Sequence, residues 1–113
     1  MSEAAMTLEG VIYLCDVTEV PNGEGKRIAL NDRDPIGVFN LNGALHAIDD
    51  TCTHGDASLS DGMVDLEFGM VACPFHEGCF DLRTGAAMTS PCVRPVKVHP
   101  IAIVNGKVYL KEH

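Results

Sequence analysis

Apolar residues occur along this chain in short runs that alternate with polar positions or stand between turn residues. This spacing is typical of β-strands, and no run has the 3.6-residue period of a helix longer than about two turns. Residues 16–20 are expected to form one helical turn that ends before Pro21, and residues 31–35 a polar turn. The pattern predicts strands at 11–15, 25–30, 36–41, 44–48, 96–99, 101–104 and 107–110.

Two Asn-Gly pairs stand between apolar runs, at Asn42-Gly43 and Asn105-Gly106. Asn-Gly favours the positive φ angles of a two-residue hairpin turn, so each pair predicts an antiparallel hairpin. Between these hairpins, shorter strands are expected around 63–65 and 70–72, and a third hairpin around 79–82. The sequence therefore predicts an all-β, antiparallel protein.

The 113 residues are enough for one domain with one modest core, and 46% of them are hydrophobic. The chain has no Trp, so packing must depend on aliphatic side chains. A net charge of −8 argues against nucleic acid and anionic membrane as partners. No apolar run approaches the ~20 residues of a membrane span, and the first residues lack a secretory pattern. We expect a cytoplasmic protein.

Two short motifs contain the candidate metal ligands: Cys52-Thr53-His54 and Cys73-Pro74-Phe75-His76. Each offers one thiolate and one imidazole, and each follows a predicted strand. Sulfur and nitrogen ligands suit zinc or an iron–sulfur centre and do not suit calcium or magnesium. A Cys₂His₂ zinc site remains an alternative, although structural zinc fingers usually pair like residues in each half-site.

The motifs resemble the boxes of the Rieske 2Fe–2S family, which read here as Cys52-Thr53-His54-Gly55 and as residues 73–78. In that family two histidines replace two cysteines on one iron. The resemblance extends from about Val11 to Leu110 and is to small Rieske ferredoxins of bacterial aromatic-ring dioxygenases. It implies a single Rieske domain over 1–113, with an antiparallel β-sandwich base (11–49 and 88–110) and an inserted cluster-binding β subdomain (50–87).

The resemblance also implies one Rieske-type 2Fe–2S cluster. Cys52 and Cys73 would bind one iron, His54 and His76 the other, and no residue would be catalytic. High-potential Rieske proteins have a cysteine pair where this chain has Ala57 and Phe75, and a serine and a tyrosine where it has Gly78 and Phe80. Fewer hydrogen-bond donors to the cluster imply a potential near the low end of the family's range.

The function implied is that of a monomeric electron carrier, which is not itself an enzyme. Its partners would be an NAD(P)H-dependent flavin-containing ferredoxin reductase and a terminal Rieske oxygenase. The remaining histidines, His46, His99 and His113, show no grouping that would bind the mononuclear iron of an oxygenase. A small Rieske subunit of another redox enzyme, such as nitrite reductase, remains an alternative.

Two further features allow different interpretations. Cys15, Cys79 and Cys92 lie outside the motifs and are expected to be buried thiols. Residues 49–83 contain eight acidic residues and one basic residue, Arg83. This acidic excess is either a solvated surface or a docking face for redox partners, and Asp56 and Glu77 flank the two motifs within it.

Overall fold

A computed structural model describes residues 11–31, 33–53, 55, 57–75, 78–89 and 94–111. Within these ranges the regular structure consists of strands and two 3₁₀ turns, and none of the helical segments is long enough to cross a bilayer. The strands are β1 (Val11–Asp16), β2 (Gly25–Leu30), β3 (Arg33–Leu41), β4 (Ala44–Asp49), β5 (Val64–Asp65), β6 (Met70–Ala72), β7 (Cys79–Asp81), β8 (Val98–His99), β9 (Ile101–Val104) and β10 (Lys107–Lys111). The 3₁₀ turns are Val17–Glu19 and Leu59–Asp61. The predicted all-β class is confirmed.

Both Asn-Gly hairpins are present. Asn42 and Gly43 join β3 to β4 with φ angles of 54° and 98°, and Asn105 and Gly106 join β9 to β10 with 53° and 78°. Two consecutive positive φ angles match the right-handed twist of the flanking strands, which is why this dipeptide determined the register.

The predicted turn at 31–35 is wrong in its extent, because β3 begins at Arg33. Leu30 pairs directly with Arg33, and the register shifts by a bulge between Ile28 and Leu30. Pro35 is tolerated near this irregularity because it has no N–H to donate to the ladder. Its carbonyl accepts a hydrogen bond from the Asp50 N–H at 3.1 Å.

The strand expected over residues 96–99 is also shorter, since only Val98–His99 pairs with β4. Val96 is buried, and its N–H donates to the Gly85 carbonyl at 2.8 Å. This bond ties residue 96 to the turn after β7 instead of extending β8.

The strands form three antiparallel sheets, ordered β1-β10-β9, β2-β3-β4-β8 and β5-β6-β7. Strand β3 of the four-stranded sheet has buried residues on both faces. Ile36 and Val38 of β3 belong to a core shared with the β1-β10-β9 sheet, while Phe39 and Leu41 of the same strand belong to a second core. A strand with two buried faces is hydrophobic almost throughout, as β3 is after Pro35.

The second core connects the four-stranded sheet to the β5-β6-β7 sheet, called the small sheet below, and contains both motif cysteines. Its buried members are Phe39, Leu41, Ile48, Cys52, Ala57, Leu59, Val71, Cys73, Phe80, Leu82 and Val96. All three strands of the small sheet fall within residues 50–87. The assignment of that segment as a cluster-binding subdomain stays a prediction.

Candidate metal centre

The first motif lies in a loop that follows β4. The Cys52 N–H donates to the Ala57 carbonyl at 3.0 Å, and Thr51 forms an isolated antiparallel bridge with Ser58. Inside the loop, the Gly55 N–H donates to the Cys52 carbonyl at 3.3 Å. These bonds close the loop at its base, where Cys52 is 3% exposed.

The second motif follows β6 directly and closes in the same way. The Cys73 N–H donates to the Gly78 carbonyl at 2.8 Å, and Cys73 is fully buried. The two motifs therefore form loops of equal length, 52–57 and 73–78, each with its cysteine at the first position and a backbone hydrogen bond across the base.

The fold brings the bases of both loops into one apolar cluster. Cys52 and Cys73 belong to the same core as Leu59, Val71 and Phe80. Loops that close their own backbone hydrogen bonds can hold cysteine side chains inside a core without leaving buried polar groups unsatisfied.

The segment after the first loop packs against the strand that leads into the second. A Cβ on Gly62 would lie 1.9 Å from the Ala72 carbonyl oxygen, so only glycine fits at this point. The Ala72 N–H donates to the Met63 carbonyl at 2.9 Å. Because Cys73 follows Ala72, this contact fixes the position of Cys73 relative to Gly62 and Met63.

Two threonines fasten the loops to the later part of the chain. The Thr53 hydroxyl donates to the Arg94 carbonyl at 2.9 Å. The Cys79 N–H donates to the Thr89 hydroxyl oxygen at 2.8 Å, and the Met88 N–H donates to the Cys79 carbonyl at the same distance. Arg94 thus bonds to the first loop, and Met88 and Thr89 bond to the residue that follows the second loop.

Two of the four predicted ligands, His54 and His76, lie outside the described residues, as do Asp56 and Glu77. The structure brings together the two cysteines only, and the complete ligand set stays a prediction. In the part of the chain that is described, no group of three or more His, Cys, Asp or Glu side chains is arranged for a metal.

The described histidines outside the motifs have structural surroundings. The His99 Nε2 lies 2.7 Å from the Asp49 carboxylate, and its side chain is 11% exposed. Burial lowers the pKa of His46, and the Arg83 guanidinium lowers it further. These strand histidines are half-buried, and His113 lies outside the described residues.

The cysteines outside the motifs differ from one another. Cys15 is 1% exposed, and burial, together with the charge of Glu19, raises the pKa of its thiol to about 11. Cys79 is half-buried, contrary to the prediction, because it pairs with Ala72 on the outer face of the small sheet. Cys92 lies outside the described residues.

One functional candidate, Asp50, was missed by the sequence analysis, which counted it within an acidic surface. Asp50 is 1% exposed and stands two residues before Cys52. A signal was present in the two serines at 58 and 60, whose hydroxyl and N–H groups can satisfy a buried carboxylate.

An antiparallel protein that holds two cysteines at the bases of adjoining loops, each loop also carrying a histidine in its sequence, defines a metalloprotein of the iron–sulfur or zinc class. Residues 10–100 match the family model of the Rieske [2Fe-2S] domain. The chain belongs to this family. It carries one Rieske-type 2Fe–2S cluster, and the zinc alternative is set aside.

Similarity to individual proteins supports this assignment. The 3-phenylpropionate/cinnamic acid dioxygenase ferredoxin subunit of Escherichia coli (strain K12) is 39% identical over 100 residues, covering 88% of this chain and 91% of the relative. The Sphingomonas yanoikuyae B1 ferredoxin superposes with a TM-score of 0.85 at 37% identity, covering 90% of this chain and 98% of that one. The chain is a Rieske-type ferredoxin, an electron-transfer component and not a catalytic subunit.

Two further structures bear on the choice of system. A chain from the complex of reduced oxygenase and oxidized ferredoxin in carbazole 1,9a-dioxygenase has a TM-score of 0.84 and 33% identity, covering 91% of this chain and 94% of that one. An NADH-dependent nitrite reductase small subunit from Mycobacterium tuberculosis has a TM-score of 0.79 and 25% identity, covering 91% and 95%. The fold is common to both, and the sequence is more similar to the dioxygenase ferredoxins.

Proposed function

We propose that this ferredoxin carries single electrons from an NAD(P)H-dependent flavin reductase to the terminal oxygenase of a multicomponent aromatic-ring dioxygenase. The observation that carries the proposal is the similarity over nearly the full length of both chains to a dioxygenase ferredoxin subunit. A solved oxygenase–ferredoxin complex that contains a similar chain supports the choice of electron acceptor.

We propose Cys52, His54, Cys73 and His76 as the ligands of the cluster. When bound, a 2Fe–2S cluster supplies a reversible one-electron couple. The polypeptide contributes two buried cysteines, at the bases of loops 52–57 and 73–78, in a core that excludes water. Exclusion of water protects thiolate ligands from solvent and oxidants.

The low potential proposed for this carrier is consistent with the surroundings of the cysteines. Phe80 is fully buried and Ala57 is 1% exposed, and both pack in the core that contains Cys52 and Cys73. Neither side chain has a hydroxyl or a thiol to donate to the cluster, so the added electron receives less stabilisation there.

The experiment is a reconstituted assay. Purified holoprotein would be combined with the reductase and terminal oxygenase of an aromatic-ring dioxygenase, and NADH-dependent dihydroxylation followed with and without it. We expect turnover only when the ferredoxin is present. A ferredoxin that supports a nitrite reductase catalytic subunit and not the oxygenase would favour the alternative system.

A matched control separates the cluster from the polypeptide. Cys73→Ser should abolish both the visible absorption and the electron transfer, because it removes a proposed ligand. Cys15→Ser changes a thiol of the other core and should retain both. Visible absorption at wild-type strength in Cys73→Ser would contradict the ligand assignment.

We further propose that the protein acts as a monomer in the cytoplasm. The buried reduced thiol of Cys15 and the dependence on a nicotinamide-linked reductase both fit a reducing compartment. Size-exclusion chromatography with light scattering at micromolar concentration would contradict the monomer if the mass were twice 12.1 kDa.

A further inference from the structure

Asp50 is the only fully buried charged side chain among the described residues. It follows the end of β4 and precedes the proposed ligand Cys52 by two residues, so the Cα atoms of the two lie at most about 7 Å apart. A carboxylate without access to water loses its hydration, and this cost must be offset by hydrogen bonds and opposite charge.

Three groups around the Asp50 carboxylate offset this cost. The Ser58 hydroxyl donates to Oδ2, and the Ser60 N–H donates to Oδ1 at 2.8 Å. The Arg27 Nε lies 3.5 Å from Oδ2. The serines belong to the segment that follows the first loop. Arg27 belongs to β2 of the four-stranded sheet, which packs against both other sheets and is called the central sheet below.

The backbone of Asp50 makes a second set of connections. Its N–H donates to the Pro35 carbonyl at 3.1 Å, and its carbonyl accepts from the Leu59 N–H at 2.7 Å. Together with the side chain, these bonds join β2, β3, the end of β4 and the second 3₁₀ turn. This junction is joined to the base of loop 52–57 by Thr51 and Ser58, which form an antiparallel bridge.

The central sheet leaves a space for this carboxylate. Gly37 of β3 faces Asp50, and a Cβ there would lie 2.9 Å from Oδ1. Any side chain at Gly37 would displace the carboxylate or shift the strand. A glycine on one strand and an aspartate after another therefore form one arrangement.

The charges of the pair are screened unequally. The Arg27 side chain is 55% exposed and Asp50 is 1% exposed, so water reduces the field of the cation more than that of the anion, and Arg27 compensates the carboxylate only in part. Asp50, two residues before Cys52, thus contributes a net negative field at the proposed cluster site. Negative charge close to a redox centre disfavours the addition of an electron.

We propose that Asp50 is a positioning residue that anchors the first loop to the central sheet and, through its buried negative charge, keeps the reduction potential of the cluster low. The inference rests on the placement of the cluster at Cys52 in the proposed function.

Midpoint potentials of the holoproteins, measured by spectroelectrochemical titration, test this proposal. Asp50→Asn keeps the shape and a side-chain acceptor for the Ser60 N–H but removes the charge, so the potential should rise. Arg27→Gln removes the partly compensating cation, so the potential should fall. Loosening of the loop alone would not give shifts of opposite sign.

Matched controls come from the neighbouring ion pair between Lys26 and Glu19, which are 3.5 Å apart and both about two-fifths exposed. Lys26→Gln and Glu19→Gln make the same charge changes in a pair of which neither member is buried, whereas Arg27 is paired with the buried Asp50. Their potentials should stay close to wild type. If they shift as far as those of Arg27→Gln and Asp50→Asn, the effect is one of net charge and the proposal fails.

Anchoring has its own readout. Ser58→Ala removes one bond to the carboxylate without a charge change. It should accelerate amide hydrogen exchange in residues 52–59 of the holoprotein and leave the potential unchanged. Exchange in this segment at the wild-type rate would overturn the anchoring role.

Should Asp50→Asn fail to retain its cluster, Arg27→Gln decides the electrostatic part, because its half-exposed side chain tolerates replacement. An unchanged potential in Arg27→Gln would then overturn that part. Visible absorption at wild-type strength in Cys73→Ser would instead contradict the ligand placement itself, so the two failures are distinguishable.

Discussion

The three buried cysteines among the described residues occupy two different environments, and their chemistry follows from them. Cys52 and Cys73 lie at loop bases within the core next to the β5-β6-β7 sheet, whereas Cys15 lies in the core between the β1-β10-β9 sheet and the four-stranded sheet. Burial raises the pKa of Cys15 to about 11. At neutral pH its thiol is therefore protonated and a poor nucleophile and metal ligand.

This difference leads to a prediction for Cys15→Ser. The variant should lose about 1–3 kcal/mol of unfolding free energy, because the core offers a buried hydroxyl no hydration. Its visible spectrum should match that of wild type. Thermal unfolding and absorption spectra measure the two effects, and a changed cluster spectrum would show that Cys15 acts on the cluster.

Phe80 provides a test of the low potential. Its ring is fully buried in the core that contains both motif cysteines, at the position where high-potential relatives are expected to have tyrosine. Phe80→Tyr should raise the midpoint potential if the new hydroxyl donates to the cluster, and should destabilise the protein by about 1–3 kcal/mol if it finds no acceptor. A folded variant whose potential falls would contradict this account.

His46 gives a pH dependence whose sign is fixed by its surroundings. Burial and Arg83 lower its pKa from the ordinary 6.5 in the folded protein. As the pH falls through 6.5, the unfolded chain binds a proton that the folded chain does not, so the contribution of His46 to stability is lost below that pH. His46→Gln should therefore lose less stability than wild type between pH 7 and pH 5. Parallel melting-temperature profiles for the two proteins would contradict the assignment.

At the scale of elements, the contact between the second 3₁₀ turn and β6 links the two motif loops. The Cβ of an alanine at Gly62 would overlap the Ala72 carbonyl. We expect Gly62→Ala to lower the unfolding free energy by about 1–3 kcal/mol and to reduce cluster retention, because Cys73 must shift with Ala72.

A second glycine supplies the control. A Cβ at Gly55 would meet no atom within 4 Å among the described residues. Gly55→Ala should change the stability of the polypeptide by less than about 0.5 kcal/mol. Equal destabilisation of the two variants in thermal unfolding would show that the close approach at Gly62 is not what links the loops.

The elements also show which parts of the structure could be predicted. Asn42-Gly43 specifies a turn through its own φ angles, so the hairpin follows from two residues. The start of β3 at Arg33 depends on pairing with β2 through a bulge. The local sequence does not predict this pairing. The cysteines were identified because ligand spacing is local along the chain. The burial of Asp50 could not be predicted, because the space for its carboxylate is made by Gly37 on another strand.

At the scale of the whole molecule, the net charge of −8 and the exposed apolar side chains offer two routes to partner binding. Asp56 and Glu77 flank the motifs in sequence and lie outside the described residues. Phe75 of the second loop is 73% exposed, and Met63, which borders a groove shared with Cys73 and Pro74, is 81% exposed. Charge would steer encounter, whereas apolar contact would lower the rate of dissociation.

These routes are separated by stopped-flow reduction of the oxygenase at several salt concentrations. Asp56→Asn combined with Glu77→Gln should slow association and flatten its salt dependence, because salt screens charges over a Debye length of about 10 Å at 0.1 M. Phe75→Ala should weaken binding with little change in the salt slope. Wild-type rates and slope in the double variant would show that the acidic residues are only a solvated surface.

The first and last strands of the structure are direct neighbours, with Val11 opposite Lys111. Paired residues in antiparallel strands have Cα atoms about 4.5–5.5 Å apart. A few glycines would therefore join these two positions into a closed ring, and new ends could be opened between Asn42 and Gly43, whose Cβ position faces open space. Such a circular permutant would leave residues 52–57 and 73–78 uninterrupted and would allow a reductase or an oxygenase to be fused from a different side of the molecule.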